Sequence, residues 1–197
     1  MINRIKHFVG LSGAATLARR AIQNAMRTIK ELDKTMTEMS VVTDLGVGDY
    51  WKQLPEYTDR ANELGVAVKD AYESATLYYQ QGLKTEEVIA LSTETLKMAR
   101  VAGLDAADAT NKMTAALRGF NLELNQTNAQ RVSDVYSELA AITASDVNEI
   151  SSAMTKTASI ASNAGMALET TAAFLSQIIE TTRESAETAG TALTISA

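Results

Sequence analysis

The sequence contains no cysteine, one proline and one histidine in 197 residues. Without cysteine, a disulfide scaffold, a thiolate metal site and a cysteine nucleophile are excluded. The single histidine, His7, excludes a multi-histidine zinc site and leaves a Ser-His-Asp triad one candidate base. One proline, ten glycines and an aromatic fraction of 5% argue against a turn-rich β-sandwich or barrel and for long helices. No apolar run of this sequence approaches the ~20 residues that a membrane-spanning helix needs.

The apolar fraction of 46% is ordinary for a globular protein. It consists mainly of Ala, Leu, Val, Ile and Met. The composition therefore predicts an all-α protein that is not an enzyme and needs no cofactor, metal or small-molecule substrate. Charge is unevenly distributed, because residues 1–30 hold six bases and no acid, while the rest of the chain holds 12 bases and 24 acids. A basic arm on an acidic body is typical of contact with nucleic acid, anionic lipid or an acidic partner, but also of a solvated helix face.

The strongest periodic signal lies in residues 15–43, where apolar or small residues recur at alternating spacings of three and four. This is the seam of a heptad repeat and predicts one long helix that ends near Gly46 and Gly48. Two interpretations stay open, namely an amphipathic helix on the chain's own core and a self-associating coiled coil. The predicted self-association seam consists of Ile22, Ala25, Ile29, Leu32, Met36 and Met39.

After residue 48 the pattern changes to shorter helices that end at glycine. We predict a basic arm and long helix over residues 1–48, and a stack of antiparallel helical hairpins over residues 49–197. Helix starts are predicted at Asp49, Thr85, Asp105, Thr127 and Asp146 from capping patterns. Corner glycines with left-handed backbone are predicted at Gly65, Gly82, Gly103 and Gly165. The corners at Gly103 and Gly165 lie 62 residues apart, and we attribute their likeness to common helix-ending patterns rather than to an internal repeat.

Candidate chemical sites are few. Glu86 and Glu87 are adjacent acids that fit the first turn of a helix better than an acid–base pair, because acids there stabilise the helix dipole. Tyr50 and Trp51 belong to the densest aromatic group. Such residues favour interfaces, so they are a candidate partner anchor. The preferred interpretation is a packed corner between the long helix and the body.

Six stretches, taken in order, resemble the core region of phage tail tape measure proteins. They are TDRANELG (58–65), YYQQGLKTEEV (78–88), ARVAGLDAADA (99–109), ALRGFNL (116–122), IASNAGMALETTAA (160–173) and ETAGTAL (187–193). Their order and spacing carry the resemblance, which covers about residues 30–197, and the last string is the most telling. One departure is Ala167, which stands where the family often has a capping hydroxyl.

The resemblance implies a structural role in tail assembly, tail length determination and genome delivery. It implies the lumen of the virion tail as location, synthesis in the bacterial host cytoplasm, and a chain cut from a longer polypeptide. Implied partners are copies of the same chain, as a trimer in the family, tail tube and distal tail proteins, tail assembly chaperones, and the host envelope on ejection. Two alternatives stay open: a signalling or sensor helical bundle, and a membrane-perturbing helical protein.

Overall fold

A computed structural model describes the backbone of residues 2–196 and the side chains of residues 19–195. Over this range the chain is helical without a strand, which confirms the all-α prediction. The helices are α1 (Ile2–Val41), α2 (Val47–Leu64), α3 (Val68–Gln80), α4 (Thr85–Ala102), α5 (Ala106–Gly119), α6 (Gln126–Ile142), α7 (Val147–Asn163), α8 (Leu168–Thr182) and α9 (Ala186–Ser196).

The helices form two rows. In the odd row, α1 contacts α3, α3 contacts α5, α5 contacts α7, and α7 contacts α9. In the even row, α2 contacts α4, α4 contacts α6, and α6 contacts α8. Each helix from α2 to α8 also contacts the next helix along the chain, in the other row. This pattern of neighbour contacts is the one found in stacked helical repeats, in which each unit buries its apolar face against the next.

The rows have a regular sequence period. The even helices begin at residues 47, 85, 126 and 168, which are 38, 41 and 42 residues apart. The period of about 40 residues differs from the 62-residue spacing of Gly103 and Gly165. Those two corners are not equivalent, since Gly103 ends an even helix and Gly165 follows an odd one. The internal repeat therefore exists, but at a spacing that the glycine corners hide.

Polar side chains join equivalent positions of neighbouring helices in a row. The Thr110 hydroxyl donates to Ser74 Oγ at 2.9 Å, and the Lys112 ammonium donates to Asn148 Oδ1 at 2.7 Å. The partners of both pairs are 36 residues apart. The Thr157 hydroxyl donates to the carbonyl of Gly190 at 3.0 Å. Because each bond spans about one period, the stack is held by polar contacts between repeats as well as by burial of alanine and leucine.

Several helix starts differ from the predicted ones by a few residues. Gly46 is the N-cap of α2 rather than the end of α1, because the Asp49 carboxylate accepts its backbone N–H at 3.3 Å. Lys84 rather than Thr85 is the N-cap of α4, and Glu87 accepts its N–H at 2.8 Å. Asn125 rather than Thr127 caps α6. Asp105 and Asp146 cap α5 and α7 as the sequence predicts.

Candidate assembly surfaces

Buried tyrosines join α1 to the body. The rings of Tyr57 and Tyr72 stack with centroids 4.1 Å apart, and Tyr50 meets Tyr72 edge to face at 6.5 Å. The hydroxyls of Tyr50 and Thr43 are 2.5 Å apart. Burial raises the pKa of the Tyr50, Tyr57 and Tyr72 hydroxyls, because the apolar interior disfavours the phenolate. This cluster fixes the last turns of α1 against α2 and α3.

The candidate anchor Tyr50–Trp51 is placed at this junction. Tyr50 is fully buried, so its ring contacts the chain's own core. Trp51 is half-buried, and its indole N–H donates to Asp33 Oδ1 of α1 at 3.3 Å. Both residues therefore serve the packed corner, which leaves only part of the Trp51 ring for contact with a partner.

The heptad seam of α1 divides into two parts. Leu32, Met36 and Met39 are buried within the chain and cannot form an outward seam without unpacking the body. Residues 19–31 are all exposed, and among them Ile22 and Ile29 keep 62% and 54% of their surface accessible. Ala25 lies between them and is exposed as well. The seam positions Ala15 and Ala18, and the side chain of His7, lie outside the described side chains. The available part of the seam is therefore its first half.

The corner glycines all adopt left-handed backbone. The φ angles are 65° at Gly65, 83° at Gly82, 66° at Gly103 and 81° at Gly165. Asn121 and Arg183 provide the same turn at two further corners, with φ of 53° and 56°. At the first corner, the Arg100 guanidinium of α4 donates to the carbonyl of Leu64. The sequence missed Asn121 and Arg183 because only glycine signals this conformation strongly.

The last helix pair exposes apolar groups that the sequence did not single out. Phe174 of α8 and Ile195 of α9 keep 52% and 82% of their surface accessible. Shallow hollows of about 520 Å³ and about 340 Å³ lie on these two helices. Their lining consists of Glu169, Thr170, Ala173, Phe174 and Gln177 on α8, and of Glu187, Thr188, Thr191, Ala192 and Ile195 on α9. The only sequence signal was an apolar residue placed off the buried stripe of Ala172, Leu175 and Ile179.

The charged groups show capping and surface pairing rather than a reactive centre. Glu86 and Glu87 lie in the first turn of α4, as the sequence predicts. Among the described residues, no group of three or more His, Asp or Glu side chains has the arrangement of a metal site. The largest hollow, about 780 Å³, is lined mainly by charged residues of α2 and α4. No helix over the described range is long and apolar enough to cross a membrane.

Long helices stacked in rows, with exposed apolar stripes, define a structural helical protein whose surfaces suit contact with other polypeptides. The family model described as "Phage-related minor tail protein" matches residues 58–196, and the chain belongs to this family. The matched range begins within α2, so α1 precedes it.

A curated relative supports the same assignment. The chain is 27% identical over 165 residues to the "Tape measure protein" of Pneumococcus phage Dp-1. The aligned region covers 83% of this chain and 14% of that protein, so the chain spans about one seventh of its relative. No solved structure shows significant similarity. These findings confirm the resemblance to phage tail tape measure proteins and the structural, tail-associated class that it implies.

Proposed function

We propose that this chain is a structural segment of a tape measure protein in the lumen of a phage tail. In this role it takes part in tail assembly, length determination and genome delivery. The match of residues 58–196 to the minor tail protein family carries the proposal. The curated tape measure relative supports it, since the likeness extends over 83% of this chain.

The proposed partners follow from this role. They are copies of the same chain, tail tube and distal tail proteins, tail assembly chaperones, and the host envelope during ejection. The segment is synthesised in the cytoplasm of the bacterial host. It acts as an assembly component and not as an enzyme, without a cofactor or small-molecule substrate. The acidic, charged surface of the body and the exposed half of α1 support contacts of this kind.

The two rows suit a folded module better than an extended ruler. A helix rises ~1.5 Å per residue, so an extended ruler lengthens in direct proportion to its chain. In this segment the helices of residues 47–196 lie beside one another, and each added repeat adds only the thickness of one helix pair. We therefore assign the length-measuring part to other regions of the longer polypeptide and the folded rows to assembly contacts.

Self-association is assigned to the exposed half of α1. Ile22, Ala25 and Ile29 form an outward stripe, while Leu32, Met36 and Met39 fix the helix to the body. Burial of this stripe by another copy removes apolar surface from water. A trimer, as the family resemblance implies, is one closed form of such an assembly.

The proposal is tested in the phage that encodes the chain. Residues 85–125 comprise one repeat, α4 with α5 and the following loop. Deleting them removes 41 residues, which would shorten an extended ruler by ~60 Å at 1.5 Å per residue. We expect purified tails to contain the segment by mass spectrometry, and the deletion to shorten the tail by much less than this.

Two controls make the result decisive. A deletion of the same size in an unrelated long helix of the same gene should shorten the tail in proportion to its length. Absence of the segment from purified tails would refute the proposed function. Proportional shortening after loss of residues 85–125 would refute the folded-module assignment alone.

A further inference from the structure

Two apolar faces lie at opposite ends of the rows. One is the α1 stripe, which consists of Ile22, Ala25, Met26 and Ile29. All four side chains are exposed, and Met26 keeps 56% of its surface accessible. The stripe lies before the part of α1 that packs against the body, which begins at Leu32. No described residue of the same chain covers it.

The other is the end face, which consists of Thr170, Ala173, Phe174 and Gln177 on α8 and of Thr188, Thr191, Ala192 and Ile195 on α9. Earlier helices of both rows contact the helix two positions further on. In the described part of the chain, α8 and α9 are the last helices of their rows and have no such neighbour. Because stacked repeats need polar capping faces at their ends, an end face with exposed Phe174 and Ile195 is a surface ready for another helix.

The two surfaces match in spacing. The α1 stripe has the helical spacing i, i+3, i+4, i+7 from Ile22 to Ile29, and so has each of the two lines of the end face. Helix recognition in grooves uses anchors at this spacing. Since α8 and α9 also contact each other, their outward lines flank a shallow groove that suits one helix.

The two surfaces also match in charge. Residues 19–31 contain four bases (Arg19, Arg20, Arg27 and Lys30) and one acid, Glu31. Residues 168–196 contain four acids (Glu169, Glu180, Glu184 and Glu187) and one base, Arg183. Glu169 pairs with Arg131 at 2.6 Å and Glu187 with Lys156 at 3.3 Å, whereas Glu184 is exposed at the loop between the helices. Opposite charge favours contact between the two surfaces and sets its register.

We propose that the α1 stripe of one copy docks onto the end face of a second copy. The contact rests on the proposed self-association and names the surface that receives α1. Pairing of α1 helices with each other in register would bring Arg19, Arg20 and Arg27 near their own copies, and like charges at such distances repel. Docking on the acidic end face avoids this repulsion. The contact joins two different surfaces, so it produces a ring if the rotation closes and an open row if it does not.

Two full-length variants separate this contact from pairing of α1 with α1. The stripe variant carries Ile22→Glu, Met26→Glu and Ile29→Glu. The end-face variant carries Phe174→Glu and Ile195→Glu. A control variant carries Val101→Glu and Ile142→Glu, which are exposed apolar residues outside both surfaces. Serine at the same positions gives a milder second set, and circular dichroism establishes that each variant is helical.

Sedimentation velocity over a range of protein concentrations measures the assembly. We expect the wild type and the control to form oligomers and each interface variant alone to be monomeric, with a dissociation constant raised about tenfold or more, as for loss of buried anchors. An equimolar mixture of the two interface variants should form 1:1 dimers, because each supplies the surface that the other lacks.

Three results would overturn the docking contact. They are an end-face variant that assembles like the wild type, a mixture that stays monomeric, and a wild type that stays monomeric at high micromolar concentration. The proposed function is read separately, from the presence of the segment in purified tails. Tails that contain an end-face variant which is monomeric in solution would keep the proposed function and leave the docking contact outside its requirements.

Discussion

The hydroxyl of Tyr72 donates a hydrogen bond to the backbone carbonyl of Tyr50 at 2.9 Å, across 22 residues of sequence. The same two rings meet nearly at right angles. The contact ties α3 to the first turn of α2, beside the buried end of α1. Since both residues are fully buried, this bond is part of the core and fixes the position from which α1 leaves the body.

Loss of this hydroxyl should weaken the fold. Tyr72→Phe removes the donor and keeps the ring, so the free energy of unfolding should fall by about 1 kcal/mol. Tyr136→Phe is the matched control, because the Tyr136 hydroxyl is buried and has no hydrogen-bond partner among the described residues. Its loss should leave stability unchanged or raise it slightly. Urea unfolding followed by circular dichroism compares the two, and equal losses would contradict the assigned role of Tyr72.

The division of the α1 seam predicts different costs for two similar truncations. Met36 is fully buried, so Met36→Ala should lower the free energy of unfolding by about 2–5 kcal/mol through lost burial and a residual cavity. Ile29 is 54% exposed, and Ile29→Ala should change it by less than about 0.5 kcal/mol at concentrations where the chain is monomeric. Urea denaturation measures both. A large cost at Ile29 in the monomer would show that the first half of the seam is not free.

A close helix contact makes Gly119 sensitive to a single methyl group. A Cβ there would overlap Ala158 Cβ of α7 and come within 3.1 Å of the Ser159 backbone nitrogen. Gly119→Ala should therefore destabilise the protein by about 1–3 kcal/mol through overpacking. Gly48→Ala is the control, since no atom lies within 4 Å of its added Cβ and the residue is in helix α2. It should be neutral or stabilising by up to about 1 kcal/mol, and a shift of thermal midpoint in the same direction for both variants would refute this explanation.

Alkaline pH should unfold the protein through its buried tyrosines. Burial raises the pKa of Tyr78 to about 12, although hydrogen bonds to Thr95 and Thr114 oppose the shift. Burial also raises the pKa of Tyr57, Tyr72 and Tyr136. The unfolded chain loses these protons near the ordinary tyrosine pKa of about 10, while the native chain keeps them. Stability should be fully present below about pH 10 and fall as the pH rises toward about 12.

Urea midpoints measured on both sides of this range check the expectation, with phenolate absorbance to follow the tyrosines. The variant Tyr78→Phe lacks one of the groups and should lose stability less steeply with pH than the wild type. A midpoint that is constant through the alkaline range would mean that these hydroxyls ionise in the folded protein.

Much of the helical fold was predictable because its signals are local. Asp105 and Asp146 cap α5 and α7 at the predicted positions, since a side-chain oxygen next to the first free N–H groups is a property of a few neighbouring residues. The starts of α4 and α6 were displaced by one or two residues, because Lys84 and Asn125 hold those places with backbone and neighbouring side chains. The order of the matched sequence strings also predicted the family.

The receiving end face was not predictable in the same way. Phe174 and Ile195 are ordinary apolar residues within helical patterns, and their exposure depends on where α8 and α9 lie in the rows. The period of about 40 residues was hidden for a related reason, since helix starts carry it and the most visible glycines belong to different rows.

The sequence by itself determined an all-α chain, the approximate helix bounds and an α1 with one apolar seam, because these depend on composition, capping and periodicity along the chain. Only the tertiary structure decided that Leu32, Met36 and Met39 belong to the core while Ile22, Ala25 and Ile29 face solvent. The physical reason is that periodicity specifies which side of a helix is apolar, whereas the length over which that side is covered depends on where α2 and α3 end against it.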